Sequence, residues 1–227
     1  MPGTDTRTRT RTRTKATVEA LLAERGVTYA EEAGIRLRDT PQPLYQLLVL
    51  THLLSARIRA STAVAAARAL FAAGMRTPQR MRDATWQERV DALGEGGYRR
   101  YDESTATQLG REAELVLDAY GGDLRRMREA AGGDPDALIA ALRESPGIGP
   151  AGADIFLREV QDVWPEFAPR LDGRALDGAR RLGLPPEPTA LAALVPRDRL
   201  PALAAALVRV ALDPHAPEDG TESGHAA

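Results

Sequence analysis

Apolar residues recur along most of the chain at three- and four-residue spacing, the signature of helices with one buried face. Val18, Leu21 and Leu22 predict a short helix that stops near Gly26. Leu44, Leu47, Leu48, Thr51, Leu54 and Ser55 hold the same period, and the added Val49 and Leu50 predict burial on all sides. Ser61 or Thr62 offers a cap for an alanine-rich helix ending at Gly74, and Thr77-Pro78 starts another with proline at its first position. Thr85-Trp86-Gln87-Glu88 reads as a capping box. Leu109, Ala113, Val116, Leu117 and Tyr120 form a longer amphipathic stretch closed by Gly121-Gly122, and Asp134-Pro135 opens one that runs to Glu144. Beyond the prolines at 185, 186 and 188, Leu191–Val195 and Leu200–Leu212 are apolar again. No stretch alternates with period two. The expectation is an all-α fold of roughly ten helices.

Composition narrows the chemistry. The 227 residues suffice for one large domain or two small ones, and 43% apolar with 27% charged residues is an ordinary globular profile. No apolar run nears the ~20 residues of a membrane span, and no apolar signal segment follows the N-terminus, so a cytoplasmic protein without membrane partners is expected. Cysteine is absent, which excludes disulfides, thiolate zinc sites, cysteine nucleophiles and thiolate-held iron–sulfur clusters. His52, His215 and His225 lie too far apart to suggest a histidine metal site. Lys15 is the single lysine among 30 basic residues, and it lies in a Thr/Arg repeat read as a disordered tail over 1–16. The folded body is therefore expected to lack an amine for Schiff-base chemistry.

Net charge is −2, but it is unevenly placed. Met1–Lys15 carries five positive charges and one negative, while 213–227, read as a flexible tail, carries four acids and no arginine or lysine. The basic segment reads either as a solvated tail or as an arm adding non-specific nucleic-acid affinity. From Thr40 to Arg82 there are six arginines and no acid, so one face can be strongly positive despite the overall balance.

The sharpest local signal is Ser145-Pro146-Gly147-Ile148-Gly149-Pro150-Ala151-Gly152-Ala153. A helix ends near Glu144. Gly147 and Gly149 permit positive φ and close backbone approach, and Ile148 between them can anchor the turn in the core. Pro150 suits the first position of a new helix, on which Ala153, Phe156, Leu157, Val160 and Trp164 share a face. Such a helix end offers free amides to an anion, and small residues at Ala151, Gly152 and Ala153 would let a phosphate backbone come close. A plain helix–turn–helix with two glycines is the alternative.

This segment resembles the helix-hairpin-helix of the endonuclease III superfamily of DNA glycosylases, which reads Leu-Pro-Gly-Val-Gly-Arg-Lys-Thr-Ala. Trp164-Pro165 is similar to a Trp-Pro found in several members, Leu171-Asp172 to the family's Val-Asp, and Arg181 to an arginine nine residues further on. Leu53-Leu54-Ser55-Ala56-Arg57 resembles Leu-Leu-Ser-Ala-Gln, whose glutamine enters the DNA stack. The resemblance spans residues 44–184. It implies a two-domain fold: a six-helix domain over about 41–159 with the hairpin at 136–159, and a second domain joining the N-terminal helix (17–40) to 160–212. Double-stranded DNA is the implied partner, lying across a cleft between the domains of a monomer.

The resemblance gives Asp172 the catalytic role. Its carboxylate would stabilise the oxocarbenium-like sugar formed as a base departs, and N-capping the helix through Leu182 is the alternative. Asp177 and Asp154 are poorer candidates in mid-helix. Ala151 stands where lyase members carry lysine, so cleavage without abasic-site nicking is implied; the Pro2 amine is the remaining escape. No iron–sulfur cluster or other cofactor is expected, a monovalent cation at the hairpin excepted, and packing of Leu191–Leu212 on the N-terminal helix should replace the cluster. Gly173-Arg174 replaces the family's Thr-His; Arg174 could pair with Asp172, contact phosphate or fill the base pocket. DNA contacts are assigned to Gly147, Ile148, Gly149, Ala151, Gly152 and Arg57, with Arg57 filling the gap left by an extruded base or standing as an exposed helix-end arginine. Tyr98, Arg99 and Arg100, beside Tyr101, suit stacking or backbone contact, or else a helix start with half-buried tyrosines. His52 is read as a hydrogen-bonded core histidine. A catalytically inactive DNA-binding protein is the rival reading of the whole.

Overall fold

The structure, a computed structural model, describes residues 3–214, with side chains from Thr12 onward. The acidic tail beyond Pro214, His215, His225 and Pro2 lie outside the described residues. The described residues form thirteen α-helical segments: α1 (Gly3–Arg25), α2 (Tyr29–Glu32), α3 (Pro41–Ser55), α4 (Ala60–Ala72), α5 (Pro78–Asp83), α6 (Trp86–Glu95), α7 (Asp102–Tyr120), α8 (Leu124–Ala131), α9 (Pro135–Arg143), α10 (Pro150–Val160), α11 (Gly173–Arg181), α12 (Pro188–Ala192) and α13 (Leu200–Leu212). Among the described residues there is no strand. The fold is all-α, as the periodicity predicts.

Local chemistry explains most boundaries. Thr77 accepts from the Arg80 N–H at the start of α5, and the Thr85–Glu88 capping box opens α6. Gly121 adopts the left-handed conformation that ends α7. Two expectations need correction. Neither Ser61 nor Thr62 caps α4, because that helix starts at Ala60, after Arg59. The Thr/Arg repeat read as a disordered tail is helical from Gly3, continuous with the segment carrying Val18 and Leu21. Once that anchored part nucleates a helix, each added residue gains a backbone bond, and no proline or glycine interrupts the repeat. Lys15 thus stands on a helix, 3.8 Å from Glu19 one turn on.

The chain divides into two compact units, 1–28 with 169–227 and 29–168. The sequence reading instead set the borders at 40/41 and 159/160. Side-chain bonds account for the difference. Glu159, buried in α10, accepts the backbone N–H groups of Tyr29 (3.3 Å) and Ala30 (2.8 Å), tying α2 to the larger unit. Trp164 is buried past the end of α10, packs against Phe156 and Phe167, and donates from Nε1 to Asp39 (2.9 Å). Arg128 of α8 lies over the Trp164 ring and bridges Asp39 and Glu166.

In the larger unit α3 is the central element, buried from Leu44 to Leu53 and packed by α4, α8 and α10. The smaller unit is built on α13, which packs against α1 and α11 around Val18, Leu21, Leu171, Ala175, Leu203 and Leu207. Its arginines act as clips. Arg181 donates to the carbonyls of Val210 (3.1 Å) and Asp213 (2.7 Å), and Arg209 to those of Arg25 (2.9 Å) and Val27 (2.6 Å).

Gly178 of α11 faces the Leu207 carbonyl so closely that a Cβ there would overlap main chain. Gly178→Ala should therefore destabilise the protein by about 1–3 kcal/mol in urea unfolding, through overpacking. Gly173→Ala, with open space around it, should change stability by less than ~0.5 kcal/mol.

Candidate nucleic-acid interface and carboxylate

Each unit carries its own candidate residues. In the larger unit α9 ends at Arg143 and a tight turn follows: Ser145 N–H donates to Leu142 O and Ile148 N–H to Ser145 O, both at 3.1 Å. Gly147 has φ +86°, a region other residues rarely adopt. Gly149, extended at φ −93° and ψ −170°, then caps α10 without a side chain, and Pro150 takes the first helical position. Among the described residues the N–H groups of Gly149, Ala151 and Gly152 find no acceptor. Those of Gly149 and Ala151 belong to residues open to solvent, so the helix end presents donors and a positive dipole to any arriving anion.

Two assigned contacts turn inward instead. Ile148 is buried and is the turn's anchor, so its side chain is unavailable to a ligand. Gly152 is buried because α10 crosses α3 there: a Cβ would sit 2.6 Å from Ser55 Oγ and 3.0 Å from an Ile148 methyl carbon. Its lack of a side chain serves helix packing, not nucleic-acid approach. Tyr98 also needs correction. Its ring is buried and its hydroxyl lies 3.2 Å from Thr105 Oγ1, so it cannot stack on a base. A chain position beside arginines did not reveal which face the tyrosine presents. Arg99 and Arg100 are exposed, the latter 5.3 Å from the Tyr101 ring centre. Arg57 is exposed just past the end of α3.

Beneath the turn lies a polar group that the sequence reading placed only in part. His52, buried in α3, bonds through Nδ1 to Glu112 Oε2 and through Nε2 to Gln108 Oε1, each at 3.1 Å. A Cβ on Gly147 would lie 2.6 Å from the His52 ring. Nδ1–H donates to Glu112, and the Gln108 amide can meet Nε2 either as acceptor from the imidazolium or, turned over, as donor to the neutral ring. Burial opposes the imidazolium charge, but the Glu112 bond and charge, with the Gln108 bond, outweigh it and raise the His52 pKa. The available signal was Gln108 and Glu112 at i, i+4 on α7, polar positions on a face otherwise marked by Leu109, Ala113 and Val116.

In the smaller unit Asp172 is the N-cap of α11, its Oδ1 accepting from the Ala175 N–H at 3.0 Å. The side chain is half-buried and held rigidly at the mouth of the helix. Arg174 is exposed. Among the described residues no cluster of three acidic or histidine side chains has the geometry of a metal site.

No family model matches the chain, and no curated protein matches it. A solved structure of an endonuclease III–DNA covalent intermediate, trapped as an estranged-adenine complex, is similar over 92% of this chain and 90% of that one, with a TM-score of 0.56 and 15% identity. The chain therefore has an endonuclease III-like all-α fold.

The histidine makes the larger unit pH-sensitive. With its pKa raised on folding, His52 contributes stability that is complete below about pH 6.5 and is lost as pH rises through the folded value. The stability gap between the wild type and His52→Gln should be widest near pH 6 and narrow towards about pH 9, read by urea unfolding at each pH. His52→Ala, which strands Glu112 in the core, should cost about 3–5 kcal/mol.

Proposed function

We propose that the protein is a monofunctional DNA glycosylase of base-excision repair, hydrolysing the N-glycosidic bond of a damaged or mispaired base in double-stranded DNA. The observation that carries the reading is the Ser145–Gly152 turn, whose unoccupied backbone donors form a phosphate-binding corner without a side chain in front of it. Arg57, Arg99, Arg100 and Arg174 add exposed positive charge for backbone contact. Asp172 supplies the chemistry. As the base leaves with the bonding electron pair, its carboxylate stabilises the positive charge left on the sugar and orients the water that adds to it. The cap bond to Ala175 occupies one oxygen and fixes the carboxylate in place.

Ala151 supports hydrolysis over elimination, since a Schiff base needs an amine where the family's lyases carry lysine. Lys15 is the one amine side chain, and its helical position makes it the residue to test. No thiolate exists to hold an iron–sulfur cluster, and α13 packed on α1 and α11 fills that role with apolar side chains. We read the protein as a cytoplasmic monomer that needs no cofactor.

Ala151→Asp tests the corner directly. An acidic residue in the first turn of α10 favours the helix, so folding should be unharmed, yet a carboxylate beside the free amides should weaken duplex binding by about tenfold or more. Wild-type affinity should fall steeply with added salt; binding indifferent to both changes would sink the reading.

Asp172→Asn separates catalyst from cap, because asparagine caps a helix as well as aspartate. Duplex binding and stability should persist while alkali-revealed abasic sites vanish from a panel of modified-base duplexes. Base release by the variant equal to that of an active wild type would remove Asp172 from the catalytic role, and none by the wild type would favour the inactive binder. Borohydride trapping should give no covalent adduct, with Lys15→Arg as the control.

A further inference from the structure

The larger unit holds a second concave site, at the opposite end of α3 from the hairpin. It has a volume of about 360 Å³ and lies between the turn after α2, the first turns of α3 and the end of α4. Arg36, Arg68 and Arg76 line it, and no acidic residue does. The charged pockets elsewhere in this unit are different: there the arginines share the walls with Asp39, Asp123, Glu129 and Glu166, or with Asp83, Glu88, Asp91 and Glu95.

Further observations concern the polar groups that line this concavity. Gln46 is only 8% exposed and lines the pocket, and among the described residues its amide meets no hydrogen-bond partner. Its amide opens to solvent in the concavity, where it can meet a polar group of a ligand. Gln42, in the first turn of α3, also lines the pocket; its backbone N–H has no acceptor, and the fifteen-residue helix directs its positive end there. Arg76 is fixed by its Nε donating to the Phe71 carbonyl at 2.7 Å, which leaves its terminal nitrogens for another acceptor. Among the described residues Arg36 and Arg68 make no ion pair.

We propose that this pocket binds the phosphoryl groups of a free phosphorylated small molecule, at a site separate from the hairpin. Guanidinium groups in a planar fork match phosphate oxygens two at a time, and Gln46 offers both a donor and an acceptor to a neighbouring polar group of the ligand. Along α3, the thirteen residues from Gln42 to Ser55 separate the two sites by about 20 Å. The pocket is also of a size that encloses a small molecule.

The test uses the full chain and sodium pyrophosphate as the probe, by titration calorimetry at low ionic strength. One saturable site is expected, weakened about tenfold or more by Arg36→Gln or Arg68→Gln and also weakened by Gln46→Leu. Arg111→Gln, an exposed arginine of α7 outside the pocket, should leave it unchanged. Circular dichroism checks that each variant folds. A short DNA duplex should not displace the probe, and Ala151→Asp should not affect it, so this result stands or falls independently of the glycosylase reading. Absence of a saturable site overturns the proposal, as does equal weakening by Arg111→Gln, which would mean diffuse charge. Displacement by the duplex overturns it too, by assigning the pocket to a nucleic-acid chain.

Discussion

The approach of α10 to the C-terminal end of α3 is the constraint on which the hairpin depends. Gly152 lies against Ser55, and Gly147 lies over the ring of His52; neither position has room for a Cβ. Because these two residues lack side chains, the turn between the helices sits directly on packed protein. Ile148 pins it from within. The backbone donors of Gly149 and Ala151 then have one direction left, outward, where the proposed anion contact would need no dedicated side chain. A flexible loop with the same amides would lose ordering entropy on every encounter; this one is ordered beforehand.

The support under that turn is ionic. Glu112 has no exposed surface, and one of its oxygens meets His52 while the other has no hydrogen-bond partner. The hydroxyl of Tyr45, close enough for Glu112 to raise its pKa, is also without one. A buried carboxylate with a single partner depends on that partner, because its removal leaves an uncompensated charge in the core. The hairpin rests on this pair through the close approach of Gly147 to the His52 ring.

How legible this was in the sequence depended on whether a feature was local. The capping box at Thr85, the left-handed Gly121 and the proline start of α10 are statements about neighbours in the chain, and each was readable. So was the all-round burial of α3, from an apolar run too dense for one face. What failed was direction. Tyr98, Ile148 and Gly152 stand beside the exposed arginines and amides that suggested contact, but their side chains, or the space for one, point into the core. Helix α8 was missed because Leu124, Met127 and Ala131 leave a weak stripe among charged residues, although the Asp123 cap marks its start. The larger unit's borders were misplaced for a tertiary reason, since the bonds from Glu159 to α2 and from Asp39 to Trp164 span more than a hundred residues.

A net charge of −2 conceals a segregation of interactions that α3 makes plain. At its C-terminal end the donors are backbone amides from the adjoining hairpin, which neutralise nothing inside the protein and lie open to a polymer of any length. At its N-terminal end the donors are guanidinium groups around a concavity that also holds the Gln46 amide. Flat open amides suit a repeating phosphate backbone read without regard to sequence, because they impose no shape on what continues beyond the contact. A concavity lined by side chains constrains the shape of what enters it more than a flat row of amides does. On the two proposals, the ends of one helix would differ in selectivity through where the chain set its glycines and its arginines, not through how many charges it has.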